Sequence, residues 1–237
     1  MPEIRLDRFL SEAGMASRRA LKDIIRSGRV TVDGCAETRP ETKLDPERSA
    51  VCLDGKRVAY AQFRYFMLDK PVGVLTATRD GRQKTVLDLL PPALKRLGLF
   101  PVGRLDKDTS GLLLLTNDGD FAHRVISPKF CVEKLYYAKV DGALSAEDAA
   151  AFKQGLILRD GARCLPAALE ILGEGACLVK VREGKYHQVR RMLASRGAPV
   201  LELRRLSVGG LVLDENLGPG GLRELFPGDL CRVFNAK

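Results

Sequence analysis

Histidine is scarce in this chain: His123 and His187 are the only two among 237 residues. A metal centre built on imidazoles is therefore poorly supplied, and no metal site is expected. The six cysteines, Cys35, Cys52, Cys131, Cys164, Cys177 and Cys231, are scattered with no Cys-x-x-Cys pair. That spacing argues against a zinc knuckle or a dithiol redox motif, and reduced, mostly buried thiols are the expectation. No window approaches the roughly 18 uncharged apolar residues of a membrane span. The opening stretch Met1–Asp7 is charged within a few residues and lacks the apolar core of a signal peptide. A cytoplasmic location without a membrane partner is expected. Internal repeats and low-complexity tracts are absent as well.

What the chain does have is core-forming material and positive charge. Hydrophobic residues make up 45% of the sequence, enough to bury a core, and the length suits two modest domains or one large one. Lys and Arg outnumber Asp and Glu by 39 to 30, a formal net charge of +9. Such an excess favours polyanionic partners through steering and counterion release, although a soluble basic protein with no polyanion would show the same total.

The first stretch reads helix, helix, hairpin. Leu6, Phe9 and Leu10 recur at helical spacing, with Gly14 as a stop. Ser17 caps a second helix whose apolar stripe is Leu21, Ile24 and Ile25. Arg18, Lys22 and Arg26 lie at i, i+4 and i+8 on that helix, joined by Arg19, and mostly face away from the stripe toward water or phosphate. Val30-Thr31-Val32 alternates as a strand and Asp33-Gly34 is a strong hairpin turn. Arg5-Leu-Asp-Arg-Phe-Leu10, Ser17-Arg-Arg-Ala-Leu21 and Ile25-Arg-Ser-Gly-Arg-Val-Thr-Val-Asp-Gly34 resemble an S4 domain, a small RNA-binding module. The resemblance covers residues 1–58 and implies that Arg18, Arg19, Lys22, Arg26 and Arg29 contact an RNA backbone, supplying position rather than sequence choice.

Residues 59–64 read as a linker, and Tyr65-Phe-Met-Leu68 opens a new apolar strand in a second region, 65–237. From there strands alternate with fewer helices. Residues 112–116, 134–140, 167–172 and 177–181 read as strands; 145–155 and 186–196 read as helices. Strand-rich sequence with interspersed helices predicts an α+β fold, not a doubly wound parallel sheet. Gly218-Pro-Gly-Gly221 reads as a surface loop, because no strand-to-helix phosphate-binding context accompanies it.

The most informative stretch is Gly103-Arg-Leu-Asp-Lys-Asp-Thr-Ser-Gly-Leu-Leu-Leu-Leu-Thr-Asn-Asp-Gly119. Polar residues and glycines crowd one loop, and an uncharged apolar run then enters the core, an arrangement that fixes reactive groups on a rigid strand. Asp106, Asp108, Ser110 and Gly111 imitate the start of an EF-hand loop. The twelfth position is Asn117 and not the bidentate Glu, so calcium is rejected. The stretch resembles the signature of pseudouridine synthases. That resemblance implies that Asp106 is the catalytic carboxylate and that Arg104 inserts toward the RNA stack when the target uridine is flipped out.

A second signature, Glu183-Gly-Lys-Tyr-His-Gln-Val-Arg-Arg-Met192, opens a segment rich in positive charge, with seven Arg or Lys across residues 182–205 against Glu183 and Glu202. Alone it would read as an amphipathic surface helix with Val189, Met192 and Leu193 inward. The family pattern implies that Arg190 pairs with Asp106 and keeps it ionised, and that His187 and Arg191 lie on the RNA side. In Glu133-Lys134-Leu135-Tyr136 the resemblance implies a tyrosine, Tyr136, stacking beside the target base, with Lys134 toward RNA; Leu203 is a candidate apolar wall. The motifs follow the family order along nearly the whole chain. They imply a pseudouridine-synthase domain built on a mostly antiparallel mixed sheet with flanking helices. Tyr65-Phe-Met-Leu-Asp-Lys-Pro71 and Tyr186-His187 resemble the small-subunit, RsuA-type branch, while Arg190 and Leu135 depart from the lysine and threonine of its best-known member. The branch implies 16S rRNA or a small-subunit assembly intermediate as partner, uridine 516 as target, a monomer and no cofactor. A 23S rRNA target and a non-catalytic rRNA-binding assembly factor remain alternatives at this point.

Overall fold

The computed structural model describes residues 3–235. Residues 1–2 and 236–237, where the two assigned regions begin and end, lie outside the described residues. The chain divides into two compact units, Met1–Arg64 with Leu90–Leu99, and Tyr65–Leu89 with Phe100–Lys237. The segment Leu90–Leu99 thus groups with the amino-terminal unit although it falls within the stretch 65–237. No helix among the described residues is long and apolar enough to cross a membrane.

In the amino-terminal unit, helices Leu6–Glu12 and Arg18–Arg26 accompany small antiparallel sheets. Ser17 caps the second helix by accepting from the Ala20 amide at 3.3 Å. Leu6, Phe9, Leu10, Leu21, Ile25 and Val30 form its core, so the apolar stripe does what its spacing demands. Asp33 (φ 51°) and Gly34 (φ 85°) turn the strand Val30–Val32 back onto Cys35–Ala36. The basic side of the Arg18–Arg26 helix stays exposed.

The second unit is a nine-stranded sheet. Its main path runs 168–173, 176–181, 134–140, 200–208, 109–116, 65–70, 222–224. Every pairing between its strands is antiparallel except one. Thr109–Thr116 runs parallel to Val200–Val208, with Leu203 opposite Thr109 and Arg205 opposite Gly111. The fold is therefore α+β with a mixed, mostly antiparallel sheet and flanking helices. Two cores pack on this sheet. One joins Phe152, Cys177, Val179, Met192 and Leu193; the other joins Met67, Leu112, Leu114, Phe121 and Val233.

The parallel seam depends on Gly111. Its φ is +103°, and a Cβ there would lie 2.2 Å from the Arg205 carbonyl oxygen and 2.7 Å from the Arg205 nitrogen. Both atoms are backbone and have nowhere to go. Gly111→Ala is expected to cost about 2–3 kcal/mol or more through overpacking and backbone strain. A denaturant unfolding curve indistinguishable from wild type would contradict this.

Several elements differ from what the sequence predicts. The helix assigned to 186–196 is Gln188–Ser195, because His187 adopts a left-handed backbone (φ 48°) and acts as its N-cap. Helices Gly119–Ile126 and Pro227–Phe234 are additional. The first is announced by Asp118, which accepts from the Phe121 amide at 3.0 Å, and by the spacing of Phe121, Ala122 and Val125. The thiols are not mostly buried: Cys164 and Cys177 are, whereas Cys35, Cys131 and Cys231 are exposed. Cys35 sits on a two-residue strand just after a turn, and Cys131 in a left-handed position closing a short 3-10 turn, places where no core can form. Burial pushes the Cys177 thiol up to about 11.

Candidate active site

Between the two cores of the second unit lies a cleft of 1380 Å³. Its walls include Val189 and Leu203 from one core and Leu114 and Val125 from the other. The loop entering the strand Thr109–Thr116 carries Asp106 into this cleft, together with Arg104 at an exposed position. Asp106 keeps 30% of its side chain accessible, so the carboxylate is open to a reactant yet flanked by protein.

The loop is fixed from below. Lys70, fully buried at the end of strand Tyr65–Lys70, points its ammonium at four backbone carbonyls: Pro71 at 3.0 Å, Asp106 at 3.1 Å, Lys107 at 3.4 Å and Thr109 at 2.9 Å. Burial pushes Lys70 down to about 8, opposed by the charges of Asp108 and Asp106. The Thr76 hydroxyl donates to the Leu105 carbonyl at 2.6 Å and accepts from the Leu105 amide at 3.2 Å. The Gly73 amide adds a bond to the Lys107 carbonyl at 2.7 Å. With its backbone held on both sides of residue 106, the carboxylate is pre-positioned, which is what a reactive group requires.

The opposite wall comes from the loop 183–187. Glu183 is buried and accepts from the Leu165 amide and from Gln188 Nε2, both at 2.8 Å, and it pairs with Lys185. Gln188 in turn accepts from the Lys185 amide at 2.9 Å. This network sets His187 so that its Nε2 lies 3.5 Å from Asp106 Oδ1. The expected Arg190–Asp106 pair does not form. Arg190 instead reaches Asp108, at 3.0 Å to Oδ2 and 3.1 Å to the carbonyl, and also the Val200 carbonyl at 3.3 Å. The reason is the start of the helix: with residue 187 as N-cap, the imidazole faces the carboxylate and Arg190, a turn further on, meets the loop two residues downstream. Arg190 thereby ties helix, loop and strand together.

The sheet supplies the floor. Lys134, Tyr136, Ala138 and Val140 share the inward face of their strand by the two-residue period, and Tyr136 lies opposite Arg205 across the ladder. Tyr136, Leu203 and Arg205 all line the cleft with Asp106. Arg205 is buried and donates to the Leu112 carbonyl at 2.7 Å.

This combination of loop, strand and helix is matched as a whole by known proteins. Residues 64–195 match the family described as RNA pseudouridylate synthase, and residues 4–49 match the S4 domain. The chain belongs to the RNA pseudouridylate synthase family. An uncharacterised RNA pseudouridine synthase of Bacillus subtilis is 43% identical over 226 residues, 94% of this chain and 95% of that protein. The ribosomal small subunit pseudouridine synthase A of Vibrio cholerae is 40% identical over 233 residues, 98% of this chain and 100% of that protein. A crystal structure of a pseudouridylate synthase superposes with a TM-score of 0.69 at 32% identity, covering 97% of this chain and 99% of that one.

The remaining candidate residues of the synthase fall in varied settings. Arg18, Arg19 and Lys22 line a shallow hollow with Arg5 and Asp7, and Arg26 is exposed on the same helix. Arg29 is engaged in a two-bond fork to Asp54, at 2.8 and 2.6 Å, so it is less available for phosphate than expected. Arg191 pairs with Asp160 and donates to the Tyr186 carbonyl at 3.3 Å. Lys134 corrects an expectation: it is 9% exposed, with its ammonium 3.4 Å from the Val125 carbonyl, and lines the cleft without standing at the surface. Its place in a central strand, between Val181 and Val208, accounts for that. Lys70, Thr76, Glu183, Gln188 and Arg205 join the site without having been expected there. Glu183 and Gln188 stand within the second signature, whereas Lys70, after Asp69 at the end of its strand, and Arg205, within a strand, carry little signal of their own.

Burial pushes Lys134 down to about 8, helped by the neighbouring Arg205 charge. The folded synthase therefore releases this proton near pH 8, whereas the unfolded chain keeps it to about 10.4. Between those values the unfolded state binds more protons, so this lysine's contribution to stability rises with pH. Lys134→Met removes the buried charge. Relative to wild type, the variant should look best below about pH 8 and lose ground toward about pH 10.4 in paired denaturation curves. A pH-independent difference would contradict the linkage.

Proposed function

We propose that this synthase converts a uridine of small-subunit ribosomal RNA to pseudouridine, with Asp106 as its catalytic carboxylate and uridine 516 as the target. The observation that carries the reading is a partly exposed carboxylate held by a braced loop on a cleft whose other walls are Tyr136, Leu203 and His187. The substrate assignment is supported by similarity over 98% of this chain to a protein named ribosomal small subunit pseudouridine synthase A. In this reading residues 1–58 bind and position RNA, 59–64 join the two parts, and 65–237 carry the chemistry.

The reaction is an isomerisation. The N1–C1′ bond breaks, the uracil turns, and a C5–C1′ bond forms; C5 gives up its proton and N1 acquires one. Electrons balance without an external donor. The uridine must leave its stack for the carboxylate to reach both the sugar and the base. Asp106 acts as a nucleophile or a base at that point. Tyr136 stacks beside the extruded base, Leu203 closes the apolar side, and Arg104 takes up the space vacated in the RNA. Arg190, bonded to Asp108, holds the loop to its helix. The cations at 18, 19, 22 and 26 anchor the RNA backbone, with His187 and Arg191 contributing nearer the cleft. The working form is a cytoplasmic monomer acting on 16S rRNA or an assembly particle.

The test is a map of pseudouridine in the rRNA of a strain lacking the gene, with and without the gene restored from a plasmid. One small-subunit position should lose and regain its modification. A change confined to 23S rRNA would move the substrate to the large subunit. An unchanged map, with purified protein inactive on ribosomal particles, would leave an RNA-binding assembly factor.

A further inference from the structure

Tyr186 is the most exposed large apolar or aromatic side chain among the described residues, at 76%, yet it sits on one of the best-braced loops of the molecule. Lys185 before it is tied to Gln188 through its amide and to Glu183 through its ammonium, the His187 carbonyl after it accepts from the Arg191 amide, and its own carbonyl accepts from the Arg191 guanidinium. Lys185 also donates to the Arg163 carbonyl at 2.8 Å. A ring presented to water on a rigid loop gains nothing for folding. It lines the cleft, and it lies flat on His187, with ring centroids 4.0 Å apart and planes 19° from parallel.

The stack has a direction. His187 approaches Asp106, and Tyr186 covers the face of the imidazole, so carboxylate, imidazole and phenol follow one another outward from the reacting centre. The far face of the phenol is the open end. A flat, apolar, pre-oriented surface beside a cleft with cationic side chains at Arg104, Lys107 and Lys185 is the chemistry that captures an unstacked nucleobase. Every base has a π-face, and stacking on an aromatic ring tolerates any sequence. We infer that Tyr186 is the stacking platform for a base flanking the target uridine, continuing the His187 ring stack into the RNA and holding the strand once the uridine has been extruded.

This inference rests on the RNA-modifying reading above and adds a substrate-positioning residue to it. Extruding one nucleotide unstacks its neighbours, and a neighbour that lands on Tyr186 regains its stacking energy. The platform therefore acts on binding of the distorted strand and not on the chemistry at Asp106.

The chain contains no tryptophan, so Tyr186→Trp makes a single fluorescent reporter at the proposed contact. Titration of that variant with a small-subunit rRNA transcript should quench its emission, because the base stacks on the indole. Turnover of the same transcript by Tyr186→Ala should show KM raised about ten-fold, in line with the loss of one base–aromatic stack, and kcat within about two-fold. Tyr186→Phe should match wild type, since the ring and not the hydroxyl is used. A merely structural role would not give this split or this rescue. Unquenched tryptophan emission on saturating RNA, or a KM in Tyr186→Ala equal to wild type, overturns the platform. If wild type itself makes no pseudouridine, the functional reading falls, and the fluorescence titration still decides whether a base stacks at residue 186.

Discussion

Asp106→Asn is expected to abolish pseudouridine formation, with a loss of at least about 10⁴-fold in turnover, the scale seen when a nucleophile or essential base is removed. RNA affinity should stay within about two-fold of wild type, because asparagine keeps the size and removes only the anion. The geometry makes this a clean substitution. The loop backbone at 105–109 is held by Lys70, Thr76 and Gly73 through its own carbonyls and amides, and none of those bonds uses the Asp106 side chain. His187 faces the carboxylate at 3.5 Å, and an amide there can still accept a hydrogen bond. Single-turnover assays with filter-binding controls check both halves. Wild-type turnover in the variant would remove Asp106 from the reaction.

Neutralising the basic helix should have the second largest effect, and on a different quantity. The triple variant Arg18→Gln, Arg19→Gln, Lys22→Gln removes three exposed cations that line one hollow of the amino-terminal unit. Each phosphate left without its cation reduces the slope of log affinity against log salt by about 0.7–0.9, so the slope should flatten by about 2–3. At physiological salt that corresponds to roughly a hundred-fold weaker binding. Folding should be spared, because the helix buries its other face, Leu21 and Ile25. Equal salt slopes for the variant and wild type would show that RNA is held elsewhere.

Much of the architecture can be read from residue order. Strand Lys134–Val140 begins and ends where its alternation does, and the helix Ala146–Gln154 lies between its Ser145 cap and Gly155. The S4 module and the enzyme family are legible because their motifs combine turn glycines, charges and apolar positions at fixed spacing. Side-chain pairing is less legible. The partner of Arg190 depends on where a helix starts, and that depends on one left-handed residue, His187, which no periodicity announces. Lys134 reads as a cation for RNA because a lysine is normally solvated; the strand buries it by giving it an inward position. The role of Lys70 is hidden for the same reason, since its four acceptors are loop carbonyls brought together only by the fold. The grouping of Leu90–Leu99 with the amino-terminal unit is a long-range effect that composition does not encode.

The lone parallel seam between Thr109–Thr116 and Val200–Val208 also sets a schedule for the newborn polypeptide. Asp106 is synthesised well before the strand that brings Leu203 and Arg205 alongside. Pairings so distant in the chain form late. A nascent chain that stops short of residue 200 therefore holds Asp106 without Leu203 and Arg205, two of the residues that line its cleft.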